Sequence, residues 1–582
     1  MSSSAARHDG TNVAVSGAGA ATAASTSRKA KVRLWDLALD IPKATPNCVG
    51  ISKGSPYRHA ASAAALELES AKALRALRRC LDAACQEGGL SDSVRALTFE
   101  RWRWQSKWEE AESTKSAAAK DGHPVVPNGR GPAAAENLRT ELVRQGLSAE
   151  RAAAAVKALC DESAKQAARL LKLSHQARSG KDLALPQELT LTFNHHNIDL
   201  ACGRAQVKLS RAAYGKLCIL HRRHAPAAES TPGPSLGTVE TYEDDTPGEV
   251  AERAEVAAAM AEARVEGADA SSRHALHQRI FALAMRYKSL QGAGFQAAIG
   301  PPVWHVLRSA LGVACEGFAS PLNAYLPAFG SGFVDVDGPF GSRGSFFGFK
   351  PSSGSFELNP PFVHNIMDAA AAHVVALLKA AAEAQGDHAL SFTVILPGWK
   401  ECDAFNVLSE SHFLRRRVLV AAADHGFCDG ASYQRQDPYR NSPFDTSVFV
   451  LQTDKAARKW PANDKFEADL RDAFAACVPS ESAVGRQLKH DAGAKGKLTG
   501  SSKRKHADGA GDGARKKKVR PSGGQGGQTH DAEIEAELDA WVRAKRKGNF
   551  EKADEIRAQL REKGIATEKE RPFKRKGKEK AS

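Results

Sequence analysis

An α/β domain joined to a mainly helical half is the fold class that three features of this sequence predict. From Val303 onward, short apolar runs rich in β-branched and aromatic residues alternate with amphipathic helical stretches, the signature of a parallel sheet flanked by helices. Before that point apolar residues recur mostly at helical spacing. Hydrophobic side chains make up 42% and charged ones 26% of the 582 residues, enough apolar material for a large core, which excludes a wholly disordered chain.

Residues 1–30 are low-complexity Ala, Ser, Gly and Thr and are expected to be disordered; with no charged-then-apolar order they suggest neither a signal peptide nor an anchor. No run of 18 apolar residues occurs, the best stretch being broken by His373 and Lys379, so no membrane partner is expected. The helical domain is assigned to 31–300, with order beginning near Leu34-Trp35. Within it, Leu66, Ala73, Leu77 and Leu81 mark a helix over 60–85, Trp102, Trp104 and Trp108 an aromatic helix over 99–110, and a third helical pattern runs over 137–174. Linkers are expected near 116–134, rich in Ala, Gly and Pro, and near 225–249, which holds prolines and an acidic run. Between them, residues 189–193 and 206–209 read as strands, with a helix near Tyr214; helix resumes over 256–287.

The α/β domain is assigned to 301–478. Strand-like runs fall at 311–318, 346–349, 356–358, 390–396, 417–420 and 447–451, and a helix at 363–382. The last two strands lack an obvious crossover helix between them, so one of them is expected to run antiparallel. Ten cysteines are scattered with no two-residue spacing, which points to free thiols and to no metal site.

Beyond Val478 the chain turns to Gly, Lys, Ser and Ala. From Lys495 to Gly527 ten Lys/Arg face two acidic residues, and residues 531–582 add a further +3, so the tail carries +11 of the net charge of +15. Lys503-Arg504-Lys505 and Arg515-Lys516-Lys517-Lys518 read as a bipartite nuclear import signal within a basic disordered linker, 479–530. A helical hairpin is expected over 531–566, followed by a basic tail, 567–582. The expected location is the nucleus.

The sharpest chemical signal is Asn359-Pro360-Pro361-Phe362, placed between a strand and a helix. Ligands in open parallel sheets sit at the carboxyl ends of strands, and two prolines there fix the backbone while withholding two N–H groups. The Asn359 side-chain oxygen and the main-chain carbonyl of residue 360 would converge as acceptors on an exocyclic amine, drawing its lone pair out of ring conjugation, with Phe362 stacked on the heterocycle. The fitting electrophile is the methyl of S-adenosylmethionine, a reaction that needs positioning more than acid–base help. The plainer reading makes this a strand-to-helix turn with Asn359 as N-cap.

Around this motif, the runs 318–323 and 340–344, the run Ser355-Phe356-Glu357 leading into Asn359, and the following Met367-Asp368-Ala369 resemble the phosphorylated CTD-interacting factor family, the cap-specific adenosine N6-methyltransferases. Arg286-Tyr287 with Gly292, Gly294, Gln296, Ala297 and Ala298 upstream, and Pro397 with Trp399 downstream, fit the same family. The resemblance implies a Rossmann-like S-adenosylmethionine-dependent methyltransferase core packed on the helical domain, acting on the first transcribed adenosine beside the 7-methylguanosine cap of mRNA. It assigns Asn359, Pro360, Pro361 and Phe362 to the target base, and Glu316, Phe318, Ala319, Ser320, Pro321, Asn323, Ser342 and Arg343 to S-adenosylmethionine. The helical half would supply the cap and RNA groove. Animal members carry an N-terminal WW domain that reads polymerase tails; residues 1–60 hold one Trp and no paired tyrosines, so RNA polymerase II machinery stays a candidate partner without that module. Animal members also have a Glu pair after the motif where this chain has His364 and Asn365. Arg543, Asn549-Phe550, Ala553-Asp554, Ile556-Arg557, Leu560 and Gly564-Ile565 resemble the helical hairpin that ends cysteinyl-tRNA synthetases, which implies an RNA tether. The alternatives to cap methylation are N6-adenine methylation at internal RNA or DNA sites and an inactive nuclear RNA-binding scaffold.

Overall fold

The computed structural model describes residues 35–86, 90, 92–113, 122–181, 183–194, 197–225, 270–290, 297–384, 388–429, 438–481 and 483–484, with isolated positions between 537 and 560. Two units divide the chain, 1–498 and 499–582, and the second is described only at those isolated positions, which are helical. The start of the chain, the connection at 225–249, the import signal and the tail beyond 566 lie outside the described residues.

In the first unit, α1 (Ala60–Gln86), α2 (Asp92–Ser113), α3 (Pro132–Arg144) and α4 (Ala149–Arg178) lead to a small antiparallel sheet of β1 (Thr190–Phe193), β2 (Asn197–Cys202) and β3 (Ala205–Ser210), then to α5 (Arg211–His224) and α6 (Ala270–Leu290). One apolar core, with Leu66, Leu74, Leu77, Phe99, Trp102, Leu159, Leu217 and Phe281 buried in it, binds these elements together. Each such side chain withdrawn from water contributes about 1.5–3 kcal/mol. Ser148 and Ser210 start α4 and α5 by accepting from the N–H groups of Arg151 and Ala213.

Three expectations for this half are corrected. The linker near 116–134 is packed from residue 122: His123 Nδ1 accepts from the N–H groups of Val125 and Val126, both buried, and α3 already begins at Pro132. The helical pattern over 137–174 is divided between two helices, because Gly146 takes a left-handed φ of 104° that an α-helix cannot contain. β2 is an additional strand, its Ile198, Leu200 and Cys202 turned inward.

The second half is built on a six-stranded mixed sheet in the order β5-β4-β6-β7-β11-β8, comprising β4 (Cys315–Ala319), β5 (Phe329–Ser331), β6 (Gly354–Leu358), β7 (Leu390–Pro397), β8 (Leu414–Val420) and β11 (Thr446–Gln452). β11 pairs antiparallel with both β7 and β8, as the missing crossover helix led one to expect, while β4, β5, β6 and β7 are mutually parallel. A short antiparallel pair, β9 (Gly426–Cys428) and β10 (Tyr439–Asn441), lies outside the sheet. One face packs against α9 (His364–Glu383) and α10 (Asp403–Ser409), with Met367, Val374, Leu378 and Phe405 meeting Phe356, Phe392 and Phe449. The other face packs against α7 (Pro301–Leu311) and α12 (Asp464–Ala475), with Trp304, Leu307 and Leu470 meeting Ile395, Val418 and Val448. α9 is long and apolar enough to cross a membrane by composition, yet its Met367, Ala370, Val374 and Leu378 are buried against the sheet.

Two strand expectations shift here. Residues 301–311 are helix, ended by the left-handed Gly312, so β4 begins only at Cys315. Residues 346–348 form a 3₁₀ turn, because Phe346 and Phe349 are buried at a spacing of three that suits a turn and not a pleat. All ten cysteines are free.

Candidate functional site

The chain leaves β4 toward β5 on one side and later returns to β6 and β7 on the other, so the carboxyl ends of β4 and β6 form the switch point where an open α/β sheet has its crevice. Register places two loops side by side there. Glu316 pairs with Glu357, so three residues on, Ala319 and the Ser320 turn lie level with Pro360.

β6 stops at Leu358 because the two prolines that follow Asn359 offer no N–H to continue the ladder. Val363 N–H closes a tight turn on the Pro361 carbonyl at 2.7 Å, and α9 starts at His364. The N-cap position is Val363, with no side-chain cap, so Asn359 is not a helix cap. Its Nδ2 instead donates to the Ala297 carbonyl at 2.8 Å. That carbonyl is fixed in turn, because Ala298 and Cys428 exchange backbone hydrogen bonds of 3.0 and 2.7 Å. With the amide nitrogen engaged, Oδ1 is turned the other way, and among the described residues no donor is paired with it or with the Pro360 carbonyl.

Phe362 is half-buried and stands nearly perpendicular to Trp399 and Phe427, 6.4 Å from each ring centre. Trp399 is itself edge-on to Phe444 at 5.0 Å and lies under His364 at 5.6 Å. Phe444 is 42% exposed, so this aromatic rim faces solvent beside the Asn359 turn. Of these rings only Phe362 was assigned a site role from sequence, and Ala297 was not; the rings are scattered over more than eighty residues, and no local spacing links them.

On the β4 side, Phe318 is half-buried among Phe346 and Phe347, Ala319 is half-buried and Pro321 buried. Ser320 is buried; its N–H and Oγ both donate to Asn323 Oδ1, at 2.8 and 2.7 Å, which closes the turn. Glu316 lies beneath this loop instead of at its rim. It is 3% exposed, and its Oε1 accepts from Leu326 N–H at 2.5 Å. Ser342 and Arg343 are also buried and act as buttresses: Ser342 Oγ meets Ser331 Oγ at 2.7 Å, and Arg343 Nη1 donates to the Pro46 carbonyl at 2.6 Å. Glu316 therefore braces the β4–β5 connection from beneath, Ser342 holds the end of β5 and Arg343 the segment at Pro46, while Phe318, Ala319, Ser320, Pro321 and Asn323 form the loop.

Glu357 sits one pleat below Asn359, opposite Thr393 on β7. Burial, with the neighbouring Glu316 carboxyl, pushes Glu357 well above the usual carboxylate range, and both its Oε1 and Thr393 Oγ1 are buried without a protein partner among the described residues. At the end of β5, beside Ala319, Gly332 has no atom within 4 Å of where a side chain would begin. Gly332 is exposed, so the end of β5 is open to solvent beside this loop. A separate cavity, lined by Asp40, Arg308, Gly312 and Pro327, opens at the amino ends of the strands, away from this crevice.

Residues 261–430, which include the Ser320 turn and Asn359–Phe362, match the family described as "Phosphorylated CTD interacting factor 1 WW domain". A human protein named mRNA (2′-O-methyladenosine-N(6)-)-methyltransferase is 34% identical over 206 residues, 34% of this chain and 29% of that protein. A mouse protein of the same name is 34% identical over 206 residues, 34% of this chain and 28% of its own length. The chain thus spans under a third of the length of these relatives. Both likenesses support the resemblance to the phosphorylated CTD-interacting factor family that the motifs from Phe318 to Ala369 carry.

Proposed function

We propose that this chain is an S-adenosylmethionine-dependent N6-methyltransferase acting on the first transcribed adenosine next to the 7-methylguanosine cap of mRNA. The observation that carries the reading is the Asn359 side chain: anchored through Nδ2 to Ala297, it presents Oδ1 at the switch point, level with the loop that ends β4. The strand order, with the last strand inserted antiparallel between the two before it, supports a Rossmann-like methyltransferase core. The names of the human and mouse relatives supply the substrate class.

Asn359 Oδ1 and the Pro360 carbonyl accept the two hydrogens of the adenine amine, so its lone pair points out of the ring plane and toward β4. Phe362 holds the face of the base; its perpendicular neighbours Trp399 and Phe427 keep the ring upright. S-adenosylmethionine, bound against residues 318–323 over the open Gly332, would supply an electrophilic methyl group. The amine loses one proton as it is alkylated. That proton passes to solvent. The basic segment 495–527 would serve nuclear import and RNA tethering, and RNA polymerase II machinery is the candidate protein partner.

The test is methyl transfer to matched short RNAs beginning with A or G, capped or uncapped, with and without a 2′-O-methyl group on the first nucleotide. The product is mapped by nuclease digestion and mass spectrometry. N6-methyladenosine formed only at a capped initial A is the expected result. Equal transfer to uncapped RNA would replace this reading by internal adenine methylation, and failure to bind S-adenosylmethionine would leave only the scaffold.

A further inference from the structure

A parallel strand pair ordinarily needs a crossover of a dozen or more residues, commonly a helix, but β4 and β5 are joined by residues 320–328 alone, with no helix. The layer that such a helix would supply comes from the N-terminal half. Leu322 of this connection, with Val336 and Phe340 beyond β5, is buried in the core formed by the N-terminal helices. The connection carries the proposed donor loop at its start, so its placement depends on the other half of the chain.

One side chain reaches across to fix it. Lys216 on α5 is 1% exposed; its Nζ donates to the Ala324 carbonyl at 2.7 Å and lies 5.1 Å from the centre of the Trp35 ring. The next two residues are held as well: Asp36 N–H donates to the Tyr325 carbonyl at 2.7 Å, and Leu326 N–H donates to Glu316. Ala324 N–H returns to the Ser320 carbonyl at 2.9 Å, so a shift at Ala324 is felt in the Ser320 turn. We propose, on the functional reading above, that Lys216 is a positioning residue for the methyl donor: Lys216 from the helical half and Glu316 from β4 clamp residues 324–326 and so set the loop that receives S-adenosylmethionine. Burial depresses Lys216 and raises Glu316, and their opposite charges offset that cost only while both are present. The clamp makes donor binding depend on the N-terminal half as well as on the sheet that carries the loop.

The experiment compares full-length wild type, Lys216→Met, Lys216→Arg, Glu316→Gln and the double variant Lys216→Met/Glu316→Gln. Donor affinity is read by calorimetry with S-adenosylmethionine, and the kinetic constants for a capped RNA are read at saturating donor. Lys216→Met is expected to weaken donor binding more than tenfold while kcat and the RNA KM stay within about threefold. Lys216→Arg, which keeps charge and donor, should recover most of the loss. The double variant should also recover, because glutamine still accepts from Leu326 N–H and no unpaired charge remains buried; it keeps the test open where the single variant unfolds. Folded Lys216→Met with wild-type donor affinity, or a double variant no better than the sum of its single changes, would overturn the clamp. A wild-type chain that fails to bind the donor would overturn the functional reading and the clamp together.

Discussion

Arg286 grips Glu67 through two hydrogen bonds, 2.8 Å from Nε and 2.6 Å from Nη2, and neither side chain has any exposure to water. The same guanidinium reaches Asp335, 2.6 Å away, just beyond β5. Tyr57 adds a donor to Glu67 at 2.8 Å. Three parts of the chain, α1, α6 and the segment after β5, thus meet on one cation.

Breaking this triad is expected to be costly, because the remaining partner would be a buried, uncompensated charge. Arg286→Met should lower stability by about 3–5 kcal/mol in urea unfolding, and Arg286→Met with Glu67→Gln should lose clearly less than the sum of the two single changes. Additive losses would show that the pair is not coupled.

Asp337 gives a pH dependence. Burial, set against the hydrogen bond from Tyr287, pushes its carboxyl from the ordinary 3.8 up to about 7. Between those values the folded chain holds a proton that the unfolded chain has released, so this group's contribution to stability falls as pH rises, by about 1.4 kcal/mol per pH unit, and levels off above. Asp337→Asn has no such proton to hold. Its stability relative to wild type should therefore climb from pH 4 to 7 and then stay constant; a difference independent of pH would show that Asp337 titrates normally.

Phe362→Ala should cost about 1–3 kcal/mol in transition-state binding, the worth of one stacked base, and Phe362→Tyr or Phe362→Trp considerably less. An equal loss in all three, seen in kcat/KM on capped RNA, would indicate that the ring matters for packing against Trp399 and Phe427 alone.

Deleting residues 495–582 removes +11 of charge and none of the groups at the crevice. Turnover on a short capped RNA should persist, while RNA affinity and its salt dependence fall, since each lost phosphate contact removes part of the counterion-release term. A fluorescent fusion should lose nuclear enrichment. Retention of both the salt slope and the nuclear location would place the RNA-binding charge in the helical half.

How much of this was legible in the sequence differs from element to element. The antiparallel β11 could be anticipated because the absence of a crossover helix is a sequence property. Asn359–Phe362 stood out because two prolines after a β-rich run can only end a strand. By contrast, β2 was hidden by its Asp and Ala, which disfavour strands in isolation but alternate outward here. The packed segment from residue 122 depends on His123, whose Nδ1 accepts from Val125 and Val126 while its Nε2 meets Ser70 Oγ on α1 at 2.7 Å, a long-range contact that composition does not encode. Residues 346–349 misled because four apolar residues in a row carry no period; only the burial of the first and last reveals a turn. At the site, the motif located the turn, but the orientation of Asn359 depends on a carbonyl 62 positions away, and the Ala324 carbonyl in the β4–β5 connection is held by Lys216, 108 positions upstream.

The most direct measurement is methyl transfer by Asn359→Ala and Asn359→Asp on a capped RNA beginning with A, with S-adenosylmethionine affinity read by calorimetry on the same preparations. Alanine removes the acceptor, and aspartate removes the Nδ2 donor that orients the side chain on Ala297. Both should lose at least about 100-fold in turnover, the scale on which a lost transition-state hydrogen bond registers, while donor affinity stays within a few-fold. Near-normal turnover in either variant would contradict the claim that the Asn359 carbonyl, aimed by Ala297, holds the amine for transfer.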